Sequence, residues 1–146
     1  MNIVSIRDFF NKRKRIKQMK KDFKIGVKLY EEGNYFTAFD YFNNAKDLYF
    51  DAYDYMHFCY PDVRDKAIEC FNEEKYEEGM ELYNKLDLKN KQGCYPVIYN
   101  CAVKLYETTE GREIAKKLFW NCLPTNYEES MKYQKIIFEE MEAKKS

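Results

Sequence analysis

Apolar residues recur every three or four positions along most of the chain, which is the period of an amphipathic α-helix. The first such segment predicts a helix that runs to Glu32 and begins at a capping box made by Ser5 and Asp8. Its apolar stripe is predicted to lie opposite the basic residues and consists of Ile6, Phe9, Phe10, Ile16, Met19 and Phe23. No segment alternates apolar and polar residues, so no strand is predicted.

The same periodicity predicts six more helices. Gly33-Asn34 ends the first helix, and because proline is tolerated in a first helical turn, Pro61 and Pro96 are interpreted as helix starts. The polar segment 89–93 is predicted to be a loop, and Thr125 with Glu128 is predicted to form a second capping box. The predicted helices span 35–55, 61–74, 76–86, 96–108, 112–123 and 127–144. The predicted fold class is therefore all-α.

Two of the predicted helix pairs share one spacing of small and large residues, and a third follows it with one extra residue between its two small positions. A small residue in each helix lets the two backbones approach closely, and large residues three or four positions away fill the space beside that contact. Gly33 suits a left-handed helix terminus, across which Tyr35 can pack back. The small residues pair as Gly26 with Ala38, Ala67 with Gly79, and Ala102 with Ala115.

This spacing resembles the tetratricopeptide repeat over residues 19–123. The separations of 41 residues from Ala38 to Gly79 and 36 from Gly79 to Ala115 exceed the family period of 34. Irregular lengths also occur in the related Sel1-like repeats, and a helical bundle that only mimics the spacing is the alternative. Seven extra residues make about two helical turns, so we expect them to lengthen the helix that ends near Tyr55.

The resemblance implies a right-handed α-solenoid of antiparallel helix pairs within a single domain, 1–146. Residues 1–21 would form a basic amphipathic N-terminal helix, 22–123 three helix pairs, and 125–146 a C-terminal capping helix. It also implies a cytoplasmic adaptor or scaffold that holds a protein or peptide partner in a concave aromatic groove. The residues expected to line this groove are Phe23, Val27, Tyr30, Arg64, Ile68, Phe71, Tyr99, Val103 and Tyr106.

Two other uses of these surfaces stay open. The N-terminal or C-terminal helix can fill the groove in cis, because short repeat arrays need caps over their exposed apolar faces. The uncovered edges of such an array also allow self-association.

Charge is distributed unevenly along a chain whose formal net charge is zero. Residues 1–24 contain nine Lys or Arg and two Asp, so they carry +7 and the other 122 residues carry −7. A basic patch in this segment suits nucleic acid, an anionic membrane surface, or the chain's own acidic helices, and a solvated helix face is the plainest interpretation. The patch consists of Lys12, Arg13, Lys14, Arg15, Lys17, Lys20 and Lys21.

Catalytic and metal chemistry find little support in the sequence. The five cysteines contain no C-x-x-C pair and are expected to be free buried thiols in a reducing cytoplasm, with a regulatory or metal-binding role as the alternative. The only histidine, His57, lies two residues from Cys59, a spacing that points the side chains in different directions on a helix. We therefore expect no enzyme activity, no cofactor and no metal site.

Overall fold

The computed structural model describes residues 3–122 and 127–145, and within these ranges it contains seven α-helices and no strand. The all-α prediction is confirmed. Thr125 falls outside the described residues, and with it the second predicted capping box. The helices are α1 (Ile3–Glu31), α2 (Tyr35–Ala45), α3 (Asp51–Asn72), α4 (Tyr76–Asn84), α5 (Leu88–Tyr106), α6 (Arg112–Asn121) and α7 (Tyr127–Lys145).

Contacts within the chain fall into two compact units, Met1–Val63 and Arg64–Ser146. Unit 1 contains α1, α2 and the first part of α3, and unit 2 contains the rest of α3 with α4 to α7. Because α3 runs through the boundary, this grouping does not test the single-domain prediction for 1–146. The basic N-terminal segment is continuous with the first helix of the first pair, since α1 extends unbroken to Glu31.

The helix boundaries around Pro61 differ from the prediction. α2 ends at Ala45, in a turn where the amide of Tyr49 donates to the Ala45 carbonyl at 3.0 Å, and α3 begins at Asp51. Pro61 lies inside α3, where its ring removes one backbone hydrogen bond. The predicted helix 35–55 and the predicted start at Pro61 are therefore wrong. The seven extra residues form a turn and lengthen the start of α3, because burial of its apolar side on both sides of the proline, at Met56 and Val63, keeps the helix continuous.

A similar correction applies to α5, which begins at Leu88 and contains both the predicted loop 89–93 and Pro96. Asp87 caps this helix, since its Oδ1 accepts from the backbone amide of Asn90 at 3.2 Å and from the Asn90 side-chain amide at 2.7 Å. Asn90 is buried, and its Oδ1 accepts from Arg64 Nη1 at 3.1 Å. A polar segment is thus accommodated in a helix because its buried side chain is hydrogen-bonded.

The predictions for the two ends of α1 have different outcomes. Its start at Ile3 puts Ser5 and Asp8 inside the helix, so the capping box predicted there is wrong. At the other end, Gly33 has φ 80°, its amide donates to the Tyr30 carbonyl at 2.9 Å, and the Tyr30 and Tyr35 ring centroids are 4.8 Å apart, as predicted. Glu74, 41 residues later, takes the same left-handed conformation with φ 63°.

Two glycines of the spacing, one in each unit, lie against buried phenylalanine rings. A Cβ on Gly26 would lie 2.9 Å from the Phe42 ring of α2, and one on Gly79 would lie 3.0 Å from the Phe71 ring. Phe42, Phe71 and Phe119 each follow an alanine of the spacing by four residues, and all three are buried. At both glycines the absence of a side chain makes room for an aromatic ring, as predicted for the large residues of the spacing, while the close approach of the two backbones stays a prediction.

Candidate functional site

The groove residues of unit 1 are engaged with aromatic neighbours from their own chain. The Phe23 ring stacks on Tyr49 with 4.2 Å between centroids, and the Tyr30 ring meets Tyr55 edge-on at 4.9 Å. Phe23, Tyr30 and Val27 are all half-buried. What remains exposed of these residues is the edge of an internal aromatic cluster.

In unit 2, two of the predicted groove residues belong to the core. Phe71 is 1% exposed and Tyr99 is 5% exposed, so the expectation that these two present surface to a partner is wrong. Phe71 fills the space beside Gly79, and Tyr99 packs edge-on against Phe119 at 5.9 Å. Helical periodicity identifies the apolar face to which they belong, but not the helices that cover it.

The other groove residues of unit 2 are half-buried. Arg64 donates through Nη1 to Asn90 at 3.1 Å and pairs with Asp65 at 3.2 Å, so its guanidinium is held by its own unit. Ile68 and Val103 are half-buried aliphatic side chains. In each unit taken by itself, these predicted groove residues are buried or half-buried.

Tyr106 is covered by α7. Its ring meets Tyr133 edge-on at 5.5 Å, and its hydroxyl donates to Glu140 Oε1 at 3.1 Å. Tyr133 also stacks on Phe119, with 4.7 Å between ring centroids. At this position the alternative interpretation holds, since a terminal helix lies in cis over an aromatic residue of the third pair.

Ion pairs reinforce the contact between α6 and α7. Glu140 accepts from Arg112 at 3.1 Å and from Lys116 at 3.2 Å, while Lys144 reaches Glu113 at 3.3 Å. Burial on its own raises the pKa of Glu140, but hydrogen bonds from Lys116 and Tyr106 outweigh that effect, so the pKa lies below its ordinary value. Glu140 is therefore a negative charge that holds α7 in place at neutral pH.

The first half of α1 contrasts with all of these positions. Every residue from Ser5 to Arg15 is exposed, and the large apolar side chains Ile6, Phe9 and Phe10 are 43%, 57% and 58% exposed. Burial begins further along the helix, at Met19 and Asp22. The amphipathic pattern of this segment therefore has no covering element within the described residues of its unit.

The predicted basic patch is exposed, but its relation to the apolar residues is corrected. Arg13 lies 5.8 Å from the Phe9 ring centroid, because residues four apart share one face of a helix. Basic and apolar side chains are therefore interleaved and do not occupy opposite faces. They line a shallow depression of about 580 Å³ formed by Phe10, Arg13, Lys14, Ile16, Lys17 and Lys20.

This surface has two parts, an apolar tip (Ile6, Phe9 and Phe10) and a basic strip (Arg13, Lys14, Lys17 and Lys20). Arg15 belongs to neither, since its Nη2 pairs with Asp47 at 2.8 Å. Arg13 and Asp22 lie nine residues apart, or two and a half helical turns, so the exposed Arg13 points away from the buried side of α1. The tip and the strip together are called the exposed face of α1.

Cysteine chemistry is suppressed by burial. Burial raises the pKa of the Cys59 and Cys94 thiols to about 11 and that of Cys122 to about 12, so these side chains are protonated at neutral pH. His57 is exposed and lies edge-on to Phe58. Among the described residues, no three His, Cys, Asp or Glu side chains are grouped to hold a metal ion.

Hydropathy along the helices gives one further finding. Within 3–122 and 127–145, no helix is both long enough and apolar enough to cross a membrane.

Comparisons with known proteins add no family to these observations. No protein-family model matches the chain, and neither a curated protein nor a solved structure is significantly similar to it. The resemblance to tetratricopeptide repeats therefore rests on the spacing of the chain's own residues.

Proposed function

We propose that this chain is a helical docking module that binds an anionic partner along the exposed face of α1. The observation that carries the proposal is that every residue from Ser5 to Arg15 is exposed, with large apolar side chains and cations on the same side of the helix. Ile6, Phe9 and Phe10 are exposed within two turns of the helix and adjoin the cations of the strip. A partner that covers them removes apolar area from water and neutralises the basic strip.

The rest of the chain serves in this proposal as the scaffold that presents α1. We propose that its helices form a right-handed α-solenoid of tetratricopeptide-like pairs, as the spacing implies. The rings of Phe42 and Phe71 against Gly26 and Gly79 support this, since a glycine faces an aromatic ring in each of the first two pairs, although the glycine is in the first helix of one pair and in the second helix of the other. Binding in the concave groove is the weaker candidate, because Phe71 and Tyr99 are buried and Tyr106 is covered.

Replacement of the strip tests the proposal directly. Four changes of Arg13, Lys14, Lys17 and Lys20 to Gln remove four charges while retaining good helix formers on an exposed surface. At low ionic strength, the unmodified chain should bind at least one anionic probe among polyglutamate, single-stranded RNA and phosphatidylserine vesicles. The strip variant should bind that probe at least about tenfold more weakly, as expected when several cations leave an interface.

A matched variant controls for net charge. Changing Lys89, Lys117, Lys132 and Lys135 to Gln removes the same charge from exposed positions outside α1, and should alter the dissociation constant less than about threefold. Equal weakening by both variants would refute a localised docking face. Failure of the unmodified chain to bind any of the three probes would refute the proposed function.

A further inference from the structure

We propose that the anionic partner is the surface of a lipid bilayer, with the apolar tip between the headgroups and the basic strip at the level of the phosphates. The inference rests on the proposed function, because it names the partner of the same face. It is carried by the order of apolar and basic side chains along one side of α1.

The tip and the strip occupy successive turns of one face. Phe9, Arg13 and Lys17 are spaced by four residues, and the 5.8 Å between Arg13 and the Phe9 ring shows that the first two point to the same side. With a rise of about 1.5 Å per residue, the distance along the helix from Phe9 to Lys20 is roughly 16 Å. The face is thus apolar at one end and basic over roughly the next two turns, from Arg13 to Lys20.

This order of side chains matches the layers of a membrane interface. Interfacial helices bury apolar side chains roughly 5–10 Å into the boundary between headgroups and acyl chains, and gain further attraction from anionic lipids. A helix that enters the interface with its N-terminal end foremost meets the acyl boundary with Ile6, Phe9 and Phe10. The cations of the strip then lie among phosphates and carboxylates, where clustered Lys and Arg bind anionic lipid.

Nucleic acid fits this face less well than a bilayer does. A nucleic-acid duplex neutralises cations through its phosphates but keeps its base faces inside the stack, so it would leave Phe9 and Phe10 in water, whereas the bases of a single strand can stack on these rings. The 122 residues after the basic segment carry −7 and would repel a long polyanion that wraps the molecule. A bilayer satisfies both halves of the face, and it can be contacted by the end of α1 alone.

Docking on a bilayer leaves the packed side of α1 undisturbed. Arg13 and Lys17 lie nine residues before Asp22 and Gly26, on the opposite side of α1. Gly26 is buried against Phe42 of α2, so the packed side and the exposed face do not compete for the same surface. The bilayer therefore contacts side chains that are exposed in the folded chain.

Vesicle co-sedimentation of the full chain tests the inference. Vesicles of phosphatidylcholine with about 30% phosphatidylserine, a composition chosen to supply anionic charge, are compared with pure phosphatidylcholine. The unmodified chain should bind the anionic vesicles at least about tenfold more tightly. The tip variant, Ile6→Ala, Phe9→Ala and Phe10→Ala, should lose at least about tenfold in affinity for them, because the inserted apolar area is removed.

A surface control accompanies the tip variant. Phe58→Ala, Leu88→Ala and Trp120→Ala also remove three exposed large apolar side chains, and should change vesicle affinity less than about twofold. Circular dichroism of each variant verifies that the helix content is retained.

The outcomes separate the two proposals. Equal vesicle binding by the tip variant and the unmodified chain, with loss only in the strip variant, would overturn the bilayer inference and leave the docking face standing. Tighter binding to RNA or polyglutamate than to phosphatidylserine vesicles would overturn it as well. Binding to none of the three probes would overturn both proposals.

Discussion

The apolar residues of α7 and of the first half of α1 differ in what they contact, since several in α7 lie on neighbouring helices and those in the first half of α1 are exposed. α7 places Tyr133 against Phe119 and Tyr106, and its Glu140 receives hydrogen bonds from α5 and α6. The first half of α1 extends past the buried part of the same helix and leaves Phe9 and Phe10 exposed. An amphipathic pattern in a helix can therefore mark a face that packs within the chain or a face that stays exposed.

The two helices differ in the charges that accompany their apolar residues. In α7 the carboxylate of Glu140 meets cations of α6, so burial of the aromatic rings is accompanied by compensated charge. In the first half of α1 the apolar residues precede a run of exposed cations, and among these Arg15 pairs with Asp47 at 2.8 Å. The exposed cations of the basic strip are the basis of the proposed docking face.

The largest expected effect is at the aromatic contact of α7. Phe119→Ala removes a buried ring that packs on Tyr99, Tyr106 and Tyr133, and should lower the free energy of unfolding by about 3–5 kcal/mol. Phe10→Ala, at an exposed position, should change it by less than about 0.5 kcal/mol. Urea denaturation followed by circular dichroism measures both free energies. Equal losses of stability in the two variants would contradict the difference between the packed α7 contact and the exposed half of α1.

A second comparison lies within α1 itself. Gly26→Ala places a Cβ 2.9 Å from the Phe42 ring, which is held by a stacked Tyr55 at 4.6 Å. The overpacking cost should exceed the gain in helix propensity and leave a net destabilisation of about 1 kcal/mol.

The matched change in the exposed half is Asn11→Ala. It substitutes a better helix former at a solvated position, and should be neutral or stabilise by less than about 0.5 kcal/mol. Thermal unfolding should give a lower melting temperature for Gly26→Ala than for Asn11→Ala. The opposite order would contradict the expected cost of overpacking at Gly26.

Removal of the Glu140 charge, which pairs α7 with α6, is expected to change the free energy of unfolding by a similar or smaller amount. Glu140→Gln removes the attraction of Arg112 and Lys116 for a carboxylate, and should destabilise by about 1 kcal/mol at pH 7. Glu139→Gln, an exposed neighbour with the same charge change, serves as the control and should be nearly neutral in chemical denaturation.

The pH dependence of this effect is set by the lowered pKa of Glu140. Its stabilisation is complete above the ordinary carboxyl value near 4.5 and is lost as the pH falls through the lower folded value. The difference in unfolding free energy between the unmodified chain and Glu140→Gln should therefore shrink in that acidic range. A difference that is constant from about pH 7 to about pH 3 would exclude the charge of Glu140 as its cause.

Local signals in the sequence predict much of the fold. Gly33 is recognisable as a left-handed helix end, and Gly26 and Gly79 as sites of close contact, because both properties depend on the residue itself. The prolines and the polar segment 89–93 are misleading when taken alone. Whether a helix continues through Pro61 or Asn90 depends on burial and hydrogen bonds made by other parts of the chain.

The site is predicted less completely, for a related reason. Periodicity identifies an apolar face, but it does not reveal what covers that face, so it assigns Phe71, Tyr99 and Tyr106 to an open groove. The Glu140 contacts join residues 28 and 34 positions apart, which no local pattern reveals. The basic patch can be identified from the sequence because the charge of Lys and Arg is a property of the residue itself and does not depend on packing.

The most direct test of the exposed face uses tryptophan emission. Trp120 is the only tryptophan, so Trp120→Phe gives a background in which Phe10→Trp or Phe58→Trp reports a single position. We predict a blue shift of the Phe10→Trp emission on addition of phosphatidylserine-containing vesicles, none with pure phosphatidylcholine, and none for Phe58→Trp. Unchanged emission of Phe10→Trp, or an equal shift at both positions, would contradict docking through the exposed face of α1.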